Sequence, residues 1–203
     1  MNETKIRLSE QEMQMVVNAE LILTKNRIIE KAGLLLSSLQ HSFHQFIINK
    51  ESGLPAEILN TSAKISKGEN YEGLPYLILD YPRYFIKPDI FAIRTMFWWG
   101  HFFSITLHLS GKYKDNYIPR IENAFAILKD AEFQVSAGED EWVHHFEKNN
   151  YLPLIAFTKA EFNQIMKEGS FLKLAKKYPL DDWPIVAEKL ERDFKLLTGV
   201  CSR

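Results

Sequence analysis

A chain of 203 residues that is 46% hydrophobic, 13% aromatic and 25% charged has the apolar material for a sizeable core, and that aromatic content excludes disorder over most of its length. Its 25 basic and 26 acidic residues leave a net charge of −1, so no global field draws it to nucleic acid or to anionic lipid. A single cysteine, Cys201, excludes an internal disulfide, and the N-terminal MNETKIRLSEQE lacks the basic-then-apolar order of a secretory signal; both set the expectation of a reducing, cytoplasmic setting.

The first element is announced by Ser9 and Glu12, which stand at capping-box spacing. An apolar stripe then runs from Met13 through Leu21, Ile28, Leu35 and Phe43 to Phe46 in steps of three and four residues, with no proline to interrupt it. The pattern predicts one long helix over residues 9–49, about 60 Å at 1.5 Å per residue. A helix of that length overhangs a domain of this size, so its apolar stripe is expected to be covered either by other elements of the chain or by a second copy in a homodimer.

Residues 50–73 carry turn signals at Gly53, Pro55, Gly68 and Gly73; the last two lack a following Lys-Ser/Thr, so they are no phosphate loop. A β-rich segment over 63–110 follows, with strand candidates at Leu74–Tyr81 (ended by Pro82), Ile90–Trp99 and Phe102–Ser110. The uncharged run of 17 residues between Arg94 and Lys112 is shorter than the roughly 20 residues of a membrane-spanning helix. Glycine first in Gly100-His101 suits a two-residue type II′ turn, which makes paired residue numbers sum to 201. In that register Arg94 shares a face with Trp98, Met96, Ile105 and Leu107, while His108 lies on the other face with Ser104 and Thr106.

Residues 114–203 read as mostly helical with short strands at Phe133–Val135 and Tyr151–Phe157. Helices are expected from Asp115 or Asn116, from the capping box Thr158/Glu161 to Gly169, from Ser170 to just before Pro179, and from Asp181–Pro184 along Val186, Leu190, Phe194 and Leu197. Helix, then strands, then helix-rich sequence predicts a single α+β domain over 1–203: an antiparallel meander or hairpin sheet packed by helices, with a long N-terminal helix.

Chemistry-bearing patterns are sparse. His41/His44 and His144/His145 lack the spacing and companions of a metal site, so no metal and no cofactor is expected. Gly-x-Ser-x-Gly is absent, and Trp98 and Trp99 alternate across a strand instead of forming a stacking platform, which argues against nucleic acid as a partner. The local candidate for a ligand site is Lys67, Glu69, Asn70, Tyr71, Asp80, Arg83, Arg94 and His108. Arg94 on a buried strand face needs an anion, because a guanidinium cannot shed its proton, and Asp80 is the nearest in sequence. Two readings of function follow. One is a non-enzymatic binding or interaction protein that dimerises through its N-terminal helix; the alternative is an enzyme in which Arg94 and Arg83 hold a small anionic substrate while Asp80 or His108 moves a proton.

Overall fold

In a computed structural model of the chain, residues 6–49 and 53–202 are described. The N-terminal stripe forms not one helix but two: α1 (Glu10–Val16) and α2 (Ala19–Asn49). Two adjacent β-branched residues, Val16 and Val17, precede Asn18, a run of poor helix formers, and Asn18 instead accepts from the N–H of Leu21 at 3.2 Å. Every residue from Ile6 to Leu23 is exposed, so no packing offsets that weakness. Ser9 and Glu12 form the expected capping box.

Beyond α3 (Ala56–Leu59) the chain runs through β1 (Lys64–Tyr71), β2 (Leu74–Ile86), β3 (Asp89–Trp98) and β4 (Phe102–Ser110), then α4 (Gly111–Asn123), α5 (Phe125–Asp130), β5 (Gln134–Ser136) and β6 (Tyr151–Pro153), and ends with α6 (Lys159–Glu168), β7 (Phe171–Pro179) and α7 (Val186–Cys201). The strands make one antiparallel sheet in the order β1-β2-β3-β4-β7-β5-β6, an α+β fold with a four-strand meander at one end. β2 passes through Pro82 at a register break between Asp80 and Arg83, where its missing N–H leaves no ladder bond unmade. In β1, Gly68 lies under the Tyr76 ring, where a Cβ would stand 2.5 Å from ring atoms. Thr158 and Glu161 close the second capping box at the head of α6.

Further expectations are corrected: β2 does not end at Pro82 but runs on to Ile86. Ser170 opens no helix: Phe171–Pro179 is β7, paired along its whole length with β4. The hairpin turns through three residues, Trp99-Gly100-His101, with Gly100 at φ +73°, so Trp98 pairs with Phe102 and paired numbers sum to 200. That slip of one residue exchanges the faces of β4. Arg94 therefore stands opposite Thr106 and on the same face as His108, not beside Ile105 and Leu107.

The sheet is covered on both sides. On its helix face Leu79, Ile93, Phe97, Phe103, Leu107 and Leu174 join a core with α2, α4 and α7. Ala32, Leu36, Leu39, Phe43 and Ile47 bury one stripe of α2 in that core, and the rings of Phe43 and Phe194 stack at 3.8 Å. Cys201 is fully buried at the end of α7, where burial pushes its thiol up to about 12. The other face is covered by residues 137–150, which contain neither helix nor strand and are here called the strap.

Candidate functional site

The strap face of the sheet carries its polar residues. Asp80 and Arg94 stand directly opposite one another on β2 and β3, and the guanidinium donates Nε to Oδ1 at 2.7 Å and Nη2 to Oδ2 at 2.9 Å. This two-pronged pair satisfies a carboxylate that is only 6% exposed. The remaining fork of Arg94, Nη1, meets His144 Nε2 at 3.0 Å. A guanidinium only donates, so that ring nitrogen accepts and the His144 proton is on Nδ1. Burial, followed by the charges of Arg94 and Lys173, holds His144 well below its ordinary value and keeps it neutral.

One row along the same face are His108 and Lys173, cross-strand neighbours on β4 and β7. His108 Nε2 lies 3.1 Å from Glu141 Oε2. Burial first, then Lys173 and Arg94, depress His108 to about 3, so the contact is a neutral N–H donating to a carboxylate and not an ion pair. Lys173 is 1% exposed, and its ammonium donates to the carbonyl of Val143 at 2.6 Å above the ring of Tyr151. Burial and the nearby Arg94 bring its pKa down to about 8.

The strap is pinned by further bonds. Tyr71 accepts the backbone N–H groups of His144 and His145 at 2.7 and 3.1 Å, and burial raises its phenol. Asn150 donates to the carbonyls of Val143 and His145, and Phe146 stacks on Tyr151 at 4.7 Å. A cleft of about 680 Å³ opens at one end of the strap between Trp98, His101, Phe146 and Lys177. A second, of about 510 Å³, opens at the other between Ser110, Glu141, Trp142 and Phe171.

Of the residues singled out from sequence, the fold brings together Tyr71, Asp80, Arg94 and His108. Arg83 joins them by register, in a row that runs Arg83, Ala92, His108, Lys173 across four strands. The other three lie elsewhere. Lys67 pairs with Leu77, which faces the helices; Glu69 binds Lys25 of α2 at 2.5 Å; Asn70 accepts the N–H of Gly73 within the β1–β2 turn. Sequence reasoning missed Lys173, Glu141 and Tyr151 as members of the cluster. The alternation of Phe171, Lys173 and Ala175 with Leu172 and Leu174 was the available signal for the first. Among the described residues no group of three or more His, Cys, Asp or Glu is placed to hold a metal ion. No helix among them is long and apolar enough to cross a membrane. Neither a protein-family model, nor a curated protein, nor a solved structure matches the chain.

Proposed function

We propose that this protein acts by binding and not by catalysis, and that its N-terminal helical arm pairs with the arm of a second copy. One observation carries the reading: nine large apolar residues between Ile6 and Leu23 are each 48–73% exposed. Their combined surface is of the same order as the roughly 800 Å² that each partner buries in a standard stable interface. Charge favours an identical, antiparallel partner. Residues 8–20 hold Glu10, Glu12 and Glu20 and no base, whereas residues 24–31 hold Lys25, Arg27 and Lys31 against a single acid, Glu30. Lys25 already meets Glu69 and Arg27 meets Glu20 within the chain, so the pairing across copies falls to Glu10, Glu12 and Lys31. Two arms crossing antiparallel near residue 20 set the acidic stretch of each beside the basic stretch of the other, while Val17, Leu21 and Leu23 meet between them. The strap-face cluster supports the non-catalytic half of the reading, because Asp80 holds two donors of Arg94, His144 takes a third, and His108 is already engaged as a neutral donor.

Light scattering on a size-exclusion column tests the arm. The full chain should elute as a dimer at micromolar concentration, and the pair Val17→Asp and Leu21→Asp, both exposed in the single chain, should convert it to a monomer with an unchanged near-ultraviolet circular dichroism spectrum. A wild-type monomer at that concentration would remove the proposal.

A further inference from the structure

Three donors rise from three adjacent strands on the strap face, and each is occupied by a group from strap residues 141–144. Arg94 Nη1 donates to His144 Nε2, His108 Nε2 to Glu141 Oε2, and Lys173 Nζ to the carbonyl of Val143, at 3.0, 3.1 and 2.6 Å. The direction is the same in all three contacts: the sheet donates and the strap accepts. The charge pairing, however, is incomplete. Asp80 bonds to Arg94, and the Glu141 carboxylate is shared between the neutral imidazole of His108 and the exposed Lys87 ammonium 4.0 Å away, while the ammonium of Lys173 is buried against an uncharged carbonyl. A buried cation without an anion in contact is costly, and a carboxylate set beside it would recover much of that cost. Arg83 extends the basic row toward β2 and forms no ion pair among the described residues. The cleft at the Trp142 end reaches this floor only through Glu141: Trp142, Phe171 and Ile90 give it an apolar wall, Lys87, Glu139 and Asp140 line it as well, and His108 and Lys173 lie behind the strap.

We propose that His108 and Lys173 form a binding site for a small organic carboxylate with an apolar body, beside an Arg94 that stays with Asp80 and His144, and that the strap closes the site upon itself with Glu141 standing where the ligand's carboxylate goes. The ligand enters at the Trp142 end, displaces the Glu141 carboxylate from His108, and takes a second bond from Lys173. The strap rearranges locally while Tyr71 and Asn150 keep its far half in place.

The test is a titration of the full chain with benzoate, indole-3-acetate and succinate, using sulfate at matched ionic strength as control, read by thermal shift and tryptophan fluorescence. Benzoate or indole-3-acetate should raise the melting temperature saturably and sulfate should not. Glu141→Gln, which removes the competing carboxylate from a partly exposed position, should bind about tenfold more tightly. Lys173→Met, of similar length and apolar, should fold and abolish the shift; if it does not fold, the decision rests on Glu141→Gln. Absence of a saturable shift in both wild type and Glu141→Gln up to millimolar probe overturns the proposal. So does a shift that sulfate reproduces or that Lys173→Met retains.

Discussion

On one side of the sheet, α2, α4 and α7 meet the strands through side chains such as Leu36, Phe43, Phe194 and Leu107, whose contacts have no preferred direction. On the other side, fourteen residues of strap are held by donors and acceptors that must each find a specific partner: Arg94 with Asp80 and His144, His108 with Glu141, Lys173 with Val143. The first cover derives its strength from area and close packing, the second from directed bonds between polar groups, although the buried Oδ1 of Asn150 finds no partner among the described residues. The difference teaches where the molecule is able to change. Helices of 31 and 16 residues locked by stacked rings do not lift separately from the sheet, whereas a segment without its own secondary structure rearranges by exchanging one set of acceptors for another.

The largest effect is expected on the helix face. Phe194→Ala removes the ring stacked on Phe43 from a fully buried position and should cost about 3–5 kcal/mol in urea unfolding. Adding Phe43→Ala should deepen the loss, because two cavities in one core do not compensate. A loss below about 1 kcal/mol for the single change would mean that α7 is loosely docked.

The strap face should behave in the opposite way. Asp80→Ala leaves the Arg94 guanidinium, 14% exposed, without its carboxylate, at an expected loss of about 3–4 kcal/mol by the same measurement. Replacing both partners, Asp80→Leu with Arg94→Met, should recover more than half of that, since the cost lies mainly in the unpaired charge. Rescue by the double change on the strap face, set against deepening on the helix face, is the sharpest form of the comparison. A double variant no better than Asp80→Ala would show that the pair is worth more than its charge balance.

The two faces also differed in how far they could be read from sequence. The helix face was legible through the positions Leu39 and Phe43 of α2 and Leu190, Phe194 and Leu197 of α7, because helical periodicity marks a buried stripe directly. The need of Arg94 for an anion, and Asp80 as that anion, followed from charge alone. The register of β3 on β4 did not follow. Both faces of that hairpin are buried, so no alternation fixes its phase, and one extra turn residue, Trp99, decided it. That single step hid the fact that Arg94, Thr106 and His108 share a face. Lys173 was hidden by a different cause: the stretch from Ser170 to Pro179 was expected as a helix, whereas it is β7, with Lys173 and Lys176 buried along it. The strap lies farthest from sequence reasoning, because hydrogen bonds from side chains to a loop backbone leave no periodic trace.

Acid should discriminate the two faces without any substitution in the core. His108 has a value near 3 in the folded chain and returns to its ordinary 6.5 or so when unfolded, so between these limits the unfolded chain binds more protons. The stability it lends is therefore complete well above pH 6.5 and is lost as pH falls, by about 3 kcal/mol at pH 4. His144 titrates in the same direction. Lys173 shifts downward too, from 10.5 to about 8, so stability should rise again as pH climbs between those values. Urea midpoints of wild type and His108→Gln, whose amide retains a donor for Glu141, isolate the first window from the general protonation of carboxylates. The variant should lose less stability between pH 6.5 and 4, and the two curves should run parallel above pH 7. Parallel curves throughout would mean that His108 has the same proton affinity folded and unfolded, that is, that water reaches it and the strap stands open in solution.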